Sequence, residues 1–312
     1  MEEVIALVLA AGKGTRMKSK LPKVLHKAGG VPMVGQVLRA VKDAGTKREI
    51  VVVGFGAEAV TAYVGETAET VVQKEQLGTG HAVLQAESLL QGEKGILLVT
   101  CGDTPLVRTE TFRALLDCHK KTQASATVLT ACMPDPAGYG RVIRSADGKV
   151  SKIVEQKDGT SQELAVNEVN AGIYCFELPE LWELLHRIGN NNAQGEYYLT
   201  DIIGMLVADG KTVSAVAAED YRETLGVNSR LQLAQAEKIL RERKLEELMT
   251  EGVTVQDPSN TYVETTVTVG RDTVLYAGTV LEGRTVIGEN CEIGPFVRLT
   301  NVAMGDGNSL QY

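Results

Sequence analysis

The feature that most constrains the fold is a repeat near the end of the chain. Val263, Val269, Leu275, Leu281, Ile287, Ile293 and Leu299 lie six residues apart. Small or β-branched residues (Val267, Thr273, Thr279, Thr285, Cys291, Val297, Ala303) stand four places after each of them. Gly270, Gly288 and Gly294 follow their aliphatic partners directly. This is the hexapeptide pattern of a parallel β-helix, in which stacked coils bury one continuous aliphatic core. Seven matches in register predict the start of such a stack over residues 251–312. By this count the chain stops at Tyr312 with about two coils made, where stacks of this kind usually need three or more repeats.

Ahead of the repeat the pattern is different. Val4–Leu9, Ile50–Val53 and Ile96–Val99 are short unbroken apolar runs that suit strands buried on both faces. A weaker strand falls at Thr70–Val72. Between them lie helical spacings through Val34, Val37, Leu38 and Val41, through Val60 and Val64, and through Ala82, Val83, Ala86 and Leu90. A further helix carries Phe112, Leu115 and Leu116. The alternation predicts an α/β fold with a doubly wound, mostly parallel sheet, which binds ligands outside the carboxyl ends of its strands. From Pro134 the pattern changes. Arg141–Arg144 and Lys149–Val154 flank Asp147-Gly148, a hairpin signal. A strand at Ala171–Phe176, helices over Leu181–Ile188 and Ile202–Val207 and a strand at Val213–Val216 follow. Ser229 then caps a charged helix from Leu231 to about Met249, with Glu237 and Arg241 spaced as an i,i+4 pair. The expected boundaries are 1–228 for the sheet domain, 229–250 for a linker helix and 251–312 for the first coils.

Composition narrows the setting. The 312 residues carry a net charge of −8 and 4% aromatics, which argues against a general nucleic-acid binder. Five scattered cysteines without a C-x-x-C pair indicate neither a zinc site nor a disulfide framework, and fit a reducing compartment. Glu2-Glu3 stands where a signal peptide would carry cations, and no apolar run reaches eighteen residues. The expectation is a cytoplasmic protein with no membrane partner.

Against that acidic balance, residues 4–42 hold no Asp or Glu, while Lys13, Arg16, Lys18, Lys20, Lys23 and Lys27 follow one another closely. They surround Leu9-Ala10-Ala11-Gly12-Lys13-Gly14-Thr15-Arg16-Met17, whose glycines let a ligand approach the backbone. Such a place suits a multiply charged anion, a triphosphate above all. A dinucleotide fingerprint would need a small residue at Met17 and an acid about twenty residues on, and a P-loop would need four residues between its glycines. Neither is present. The loop, with Leu21-Pro22-Lys23 after it, resembles the nucleotide-binding start of sugar-1-phosphate nucleotidyltransferases. Within these it is most similar to bacterial N-acetylglucosamine-1-phosphate uridyltransferases, the N-terminal part of bifunctional uridyltransferase/acetyltransferases. Further matches run to the last residue.

The chemistry of nucleotidyl transfer asks for charge neutralisation, a metal and a positioned nucleophile. Arg16 and Lys23 are the catalytic cations to place on the phosphates, with the amides of Gly12 to Thr15 around them. Pro22 restricts the backbone before Lys23. Asp103, in Cys101-Gly102-Asp103-Thr104-Pro105 after the strong strand, is placed to hold Mg²⁺ beside phosphates. A glutamine amide both donates and accepts, as an imide base requires. The resemblance puts Gln73, Gly78 and Thr79 on the uracil, with Leu9, Ala10, Ala11, Gly12, Gly14 and Thr15 completing the UTP site. It sets Asn228 opposite Asp103 as second metal ligand, and it gives the sugar to Gly102, Gly140, Glu155 and Asn170. An aromatic can stand at Cys101 in the family, so a sugar contact from that side chain is not carried over. His81 opens a helix and is either a base or structural; an anionic phosphate nucleophile needs no base, which favours the structural role. Residues 192–201 either wall the sugar pocket or form a loop capping a helix at Thr200.

The implied activity joins UTP and N-acetylglucosamine 1-phosphate into UDP-N-acetylglucosamine and pyrophosphate with Mg²⁺, in supply of cell-wall precursors. A Rossmann-like sheet, a left-handed β-helix and a homotrimer are implied with it, the trimer weakened and acetyl transfer absent because the stack ends early. Two alternatives stand beside it: the same chemistry on another sugar phosphate or nucleotide, and a non-catalytic sugar-nucleotide-binding subunit that trimerises.

Overall fold

The computed structural model describes residues 3–311; Glu2 and Tyr312 lie outside them. The chain forms two compact units, one built from the residues up to Leu25 with Met33–Asn228, the other from His26–Pro32 with the residues from Ser229 on.

The first unit is a nine-stranded mixed sheet. In chain order its strands are β1 Val4–Ala10, β2 Arg48–Val53, β3 Glu69–Val72, β4 Gly95–Cys101, β5 Ala126–Cys132, β6 Arg141–Arg144, β7 Val150–Val154, β8 Glu168–Leu178 and β9 Val213–Ala217. The main path runs β9-β5-β8-β4-β1-β2-β3. β4, β1, β2 and β3 are parallel. Val4, Ile5, Ala6, Leu7 and Val8 of β1 are all buried, because aliphatic cores lie on both faces of the sheet. The parallel arrangement gathers the carboxyl ends of β1, β2, β3 and β4 along one edge, so the residues after Ala10, Val72 and Cys101 emerge together.

β8 departs from the parallel pattern. It pairs antiparallel with both β4 and β5. Its register against β5 slips between Asn170 and Tyr174, where Gly172 has φ +72°. Such a bulge re-aims side chains at a strand end. The hairpin expected around Asp147-Gly148 is present as β6 and β7. The helix expected through Ala82 and Leu90 is two pieces, Thr79–Leu84 and Glu87–Leu90. No described helix is long and apolar enough to cross a membrane.

The C-terminal part of the second unit opens with the helix Arg230–Thr250, capped by the Ser229 hydroxyl, which accepts from Gln232 N at 3.2 Å. The expected Glu237–Arg241 pair does not form. Glu237 instead accepts from Gly29 N at 2.7 Å and from the Tyr262 hydroxyl at 2.6 Å. Gly29 sits in the small hairpin Lys27–Ala28/Val31–Pro32, so Lys27 leaves the basic run around the loop and joins this unit. The solvent-side pair is Lys238–Glu242 at 3.7 Å.

The β-helix has three short parallel sheets of four, three and three strands. That is three coils and the first strand of a fourth, one more coil than the sequence count. The extra coil opens at Thr254–Val255, eight residues before Val263; the turn Pro258–Asn260 interrupts the six-residue step and hides it. Val263, Val269, Leu275, Leu281, Ile287 and Ile293 are buried as the register requires. After Leu299 the coil is one residue short. Val286 pairs with Ala303 and Ile287 with Met304, 17 positions on, where the pairings from Tyr262 to Arg298 take 18. Ala303 is therefore an exposed strand residue, and Val302 takes the corner expected for it, its N–H donating to Thr285 Oγ1.

Candidate active site

The convergence begins at Lys23. Pro22 is buried, and a Cβ on Gly56 would collide with its ring, so the turn Lys23–Leu25 is held in place from behind. The ammonium donates to the Asp103 carboxylate and, at 2.9 Å, to Asn228 Oδ1. Backbone brings those two oxygens together, since Val227 N donates to Asp103 O at 2.8 Å. Gly14 has φ +59°, and a Cβ there would stand 2.6 Å from Lys23 Cβ. Its glycine thus leaves room for the lysine.

Beside this trio opens a cleft of 260 Å³ lined by Leu9, Ala10, Ala11, Gly12, Gln73, Gly78, Thr79, Cys101 and Glu196, among others. A Cβ on Gly12 would meet nothing within 4 Å, so backbone is bare to the cleft there. Gly78 is squeezed against the Tyr197 backbone, where a Cβ would lie 2.6 Å from the Tyr197 carbonyl oxygen. Burial, then the Asp103 charge, push the Cys101 thiol up to about 12, with Lys23 opposing. It is a neutral thiol whose Sγ lies 3.8 Å from Gly172 O.

Not every expected residue joins the cleft. Thr15 and Arg16 are exposed on the turn Thr15–Met17 and outside its lining, and among the described residues Arg16 makes no ion pair. Gly102 is buried, its N–H donating to Leu9 O at 2.9 Å. Glu155 lines a separate cavity of 410 Å³ with Asp158, Asn192, Tyr198 and Asp201. Gly140 and Asn170 are linked, Asn170 N donating to Gly140 O at 2.9 Å.

A family model for the MobA-like NTP transferase domain matches residues 6–152, and one for the bacterial transferase hexapeptide matches residues 266–301. The bifunctional protein GlmU of Geobacillus sp. (strain WCH70) is 53% identical over 307 residues, 98% of this chain and 67% of the relative. GlmU of Geobacillus thermodenitrificans is 52% identical over the same shares, and that of Halalkalibacterium halodurans 49% identical over all of this chain and 68% of the relative. The chain belongs to the GlmU family. It spans about two thirds of the length of these relatives.

Three contacts around Glu155 and Asn170 go beyond motif reading of this GlmU-family chain, which singles out the stretch 192–201 without its partners and gives Tyr174 no role. The Thr200 hydroxyl does not cap its helix; it donates to Glu155 Oε1 at 3.0 Å. Burial raises the Glu155 carboxyl above the usual carboxylate range, and the Thr200 bond offsets this only in part. The Tyr198 hydroxyl donates to Asp158 Oδ2 at 3.2 Å. Tyr174, fully buried, accepts from Asn170 Nδ2 at 2.6 Å, while Asn170 Oδ1 accepts from Gly172 N at 3.0 Å across the bulge. These contacts join segments far apart in sequence, and no local pattern carries them.

A divalent cation fits the donor set at Asp103 and Asn228. One carboxylate and one amide oxygen are hard ligands, and they already close on a single positive group, the Lys23 ammonium. Among the described residues no group of three His, Cys, Asp or Glu is placed to hold a metal. The pair of oxygens suits Mg²⁺, which takes one or two protein oxygens and completes its shell with water and substrate phosphates.

Proposed function

We infer that this GlmU-family chain joins UTP to N-acetylglucosamine 1-phosphate, releasing pyrophosphate. One observation supports the reading above the others. A lysine, a carboxylate and an amide oxygen converge at the carboxyl edge of a parallel sheet, beside a glycine loop bare to a cleft. In the reaction a phosphate oxygen of the sugar phosphate forms a bond to the α-phosphorus of UTP, and the bond from that phosphorus to the bridging oxygen of pyrophosphate breaks. The attacking oxygen is already anionic, so no residue need remove a proton.

The chain's part is binding and orientation. Leu9, Ala10, Ala11 and Gly12 form one wall of the nucleotide site, with Gln73, Gly78 and Thr79 opposite for the base. Gly14 seats Lys23, and the amides through Thr15 face the phosphates. Lys23 neutralises charge on the triphosphate, and Arg16, free on its turn, closes on the same phosphates when they are bound. Asp103 and Asn228 hold Mg²⁺, which supplies electrostatic stabilisation of the phosphates. Gly102, Gly140, Glu155 and Asn170 take the sugar, and Thr200 and Tyr174 orient the latter two side chains. The protein works in the cytoplasm and associates as a homotrimer through the β-helix, whose stacked coils offer flat faces.

The test is a screen of four nucleoside triphosphates against several sugar 1-phosphates with Mg²⁺, scored by pyrophosphate release. UTP with N-acetylglucosamine 1-phosphate is expected to be fastest. Glucose 1-phosphate is expected to be much poorer, because it leaves polar groups of the pocket unpaired. Equal kcat/KM for the two sugars, or no release from UTP, refutes the assignment.

A further inference from the structure

The uracil-reading role given to Gln73 leaves open what fixes the direction of its amide, and a reversed amide would read a different base. We infer that His81 is the positioning residue that holds Gln73 with its oxygen toward the nucleotide, and so sets the preference for uracil over cytosine. The inference rests on the reading that Gln73 faces the base.

Gln73 follows β3 directly, its N–H bonded to Val53 O at 2.8 Å and the residue only 3% exposed. Its Nε2 lies 3.2 Å from Gly78 O and 3.0 Å from His81 Nδ1. A carbonyl oxygen can only accept, so the atom facing Gly78 O must be the amide nitrogen, whichever way a symmetric-looking amide is drawn. One amide hydrogen goes to Gly78 O. The other has His81 Nδ1, provided that this nitrogen carries a lone pair.

The surroundings decide the tautomer. The Gln85 Nε2 lies 3.2 Å from His81 Nε2 and 2.9 Å from His81 O. A neutral imidazole accepts on one side only. Gln73 is buried and locked by Gly78, whereas Gln85 is half-buried and can swing off the ring, leaving an Nε2–H to solvent. The hydrogen therefore sits on Nε2, and Nδ1 accepts from Gln73. Both acceptors are firmly placed. Tyr197 N donates to Leu77 O and Gly80 N to Tyr197 O, each at 2.8 Å, which clamps the Gly78 segment, and the Tyr197 ring stands 6.5 Å from the imidazole.

With both donors engaged, Gln73 has only an acceptor left. Among the described residues nothing donates to its Oε1, and Gln73 lines the nucleotide cleft. Uracil presents an N–H at ring position 3, which that oxygen accepts. Cytosine presents a lone pair there, which it repels. If His81 could not accept, one amide hydrogen would lack a partner and the amide could turn to offer its NH₂, which suits cytosine. Thymine carries the same imide as uracil, so this contact admits it equally.

The test compares kcat/KM for UTP and for CTP, with N-acetylglucosamine 1-phosphate and Mg²⁺, in wild type, His81→Leu, His81→Asn, His81→Gln and Gln73→Ala. The UTP/CTP ratio is expected to fall about tenfold or more in His81→Leu, as the lost acceptor leaves a buried donor unmet. His81→Asn, whose side-chain oxygen reaches the place of Nδ1, keeps most of the ratio; His81→Gln, which reaches past it toward Gln85, loses it. The Asn/Gln pair decides the matter if leucine prevents folding. A wild-type ratio in both His81→Leu and His81→Gln, with a collapsed ratio in Gln73→Ala, overturns the role of His81 and leaves Gln73 as base reader. An unchanged ratio in Gln73→Ala overturns the base reading itself, and this inference with it.

Discussion

The cleft beside Lys23 and the β-helix are two opposite ways of using a sequence. In the β-helix each buried position repeats its predecessor, and Leu275 meets Ile293 as Val263 meets Leu281, 18 positions on. Losing any one residue damages a structure that many equivalent residues maintain. In the cleft nothing repeats. Lys23, Asp103 and Asn228 meet across separations of 80 and 205 positions, and each is the sole member of its kind in the contact. The difference teaches where substitutions should act. A cleft residue should cost chemistry with little loss of stability, and a coil residue stability with little loss of chemistry.

The largest expected effect is at Asp103. Asp103→Asn keeps shape and keeps an oxygen for Lys23, but removes the charge proposed to anchor Mg²⁺. Turnover should drop on the order of a hundredfold or more, since metal-organised charge stabilisation contributes several kcal/mol. The melting temperature should barely move. A folded variant with near-normal turnover would break the comparison at its strongest point.

The coil counterpart is Thr273. It is fully buried, donates to Gly288 O at 2.9 Å and accepts from Cys291 N at 3.0 Å. Valine fills the same space without the hydroxyl, leaving a buried backbone N–H unmet. Thr273→Val should cost about 1–3 kcal/mol in denaturant unfolding of the second unit. Uridyltransferase kcat/KM should stay close to wild type. An unchanged midpoint would mean that the corner threonines only fill space.

The same contrast explains what the sequence revealed. Period-six aliphatics announce the β-helix because every contact there is a copy of a neighbour's. The register fails only where the copying fails, at the Pro258 turn and after Leu299. The parallel strands and the glycine loop were legible for a similar reason, since burial on both faces writes unbroken apolar runs. The antiparallel insertion of β8 was not, because a strand buried on both faces reads alike in either direction. Nor were Thr200 on Glu155, Tyr174 on Asn170 or His81 on Gln73. Their partners are set by folding at distances that no window spans, or, for His81, by which ring nitrogen faces inward.

The smallest effect sharpens the comparison by asking whether the proposed sugar site weakens the fold. Burial raises the Glu155 carboxyl, as do the charges of Asp158, Asp201 and Glu196, against the lowering bond from Thr200. A carboxyl whose folded value lies above its unfolded value binds its proton more tightly in the folded state. Its contribution to stability is therefore present below the unfolded value of about 4.3 and is lost as pH rises through the folded one. Above that, the wild type holds a charge in a place that disfavours it. Glu155→Gln removes the charge and keeps an acceptor for Thr200. It should match wild-type stability in acid and exceed it at neutral pH, while kcat/KM for the sugar phosphate falls. The pH dependence separates this from a packing change, which would shift stability equally at every pH. Parallel pH–stability curves for the two proteins would show that Glu155 carries no such cost, and that the proposed site residues and the coils differ in chemistry alone.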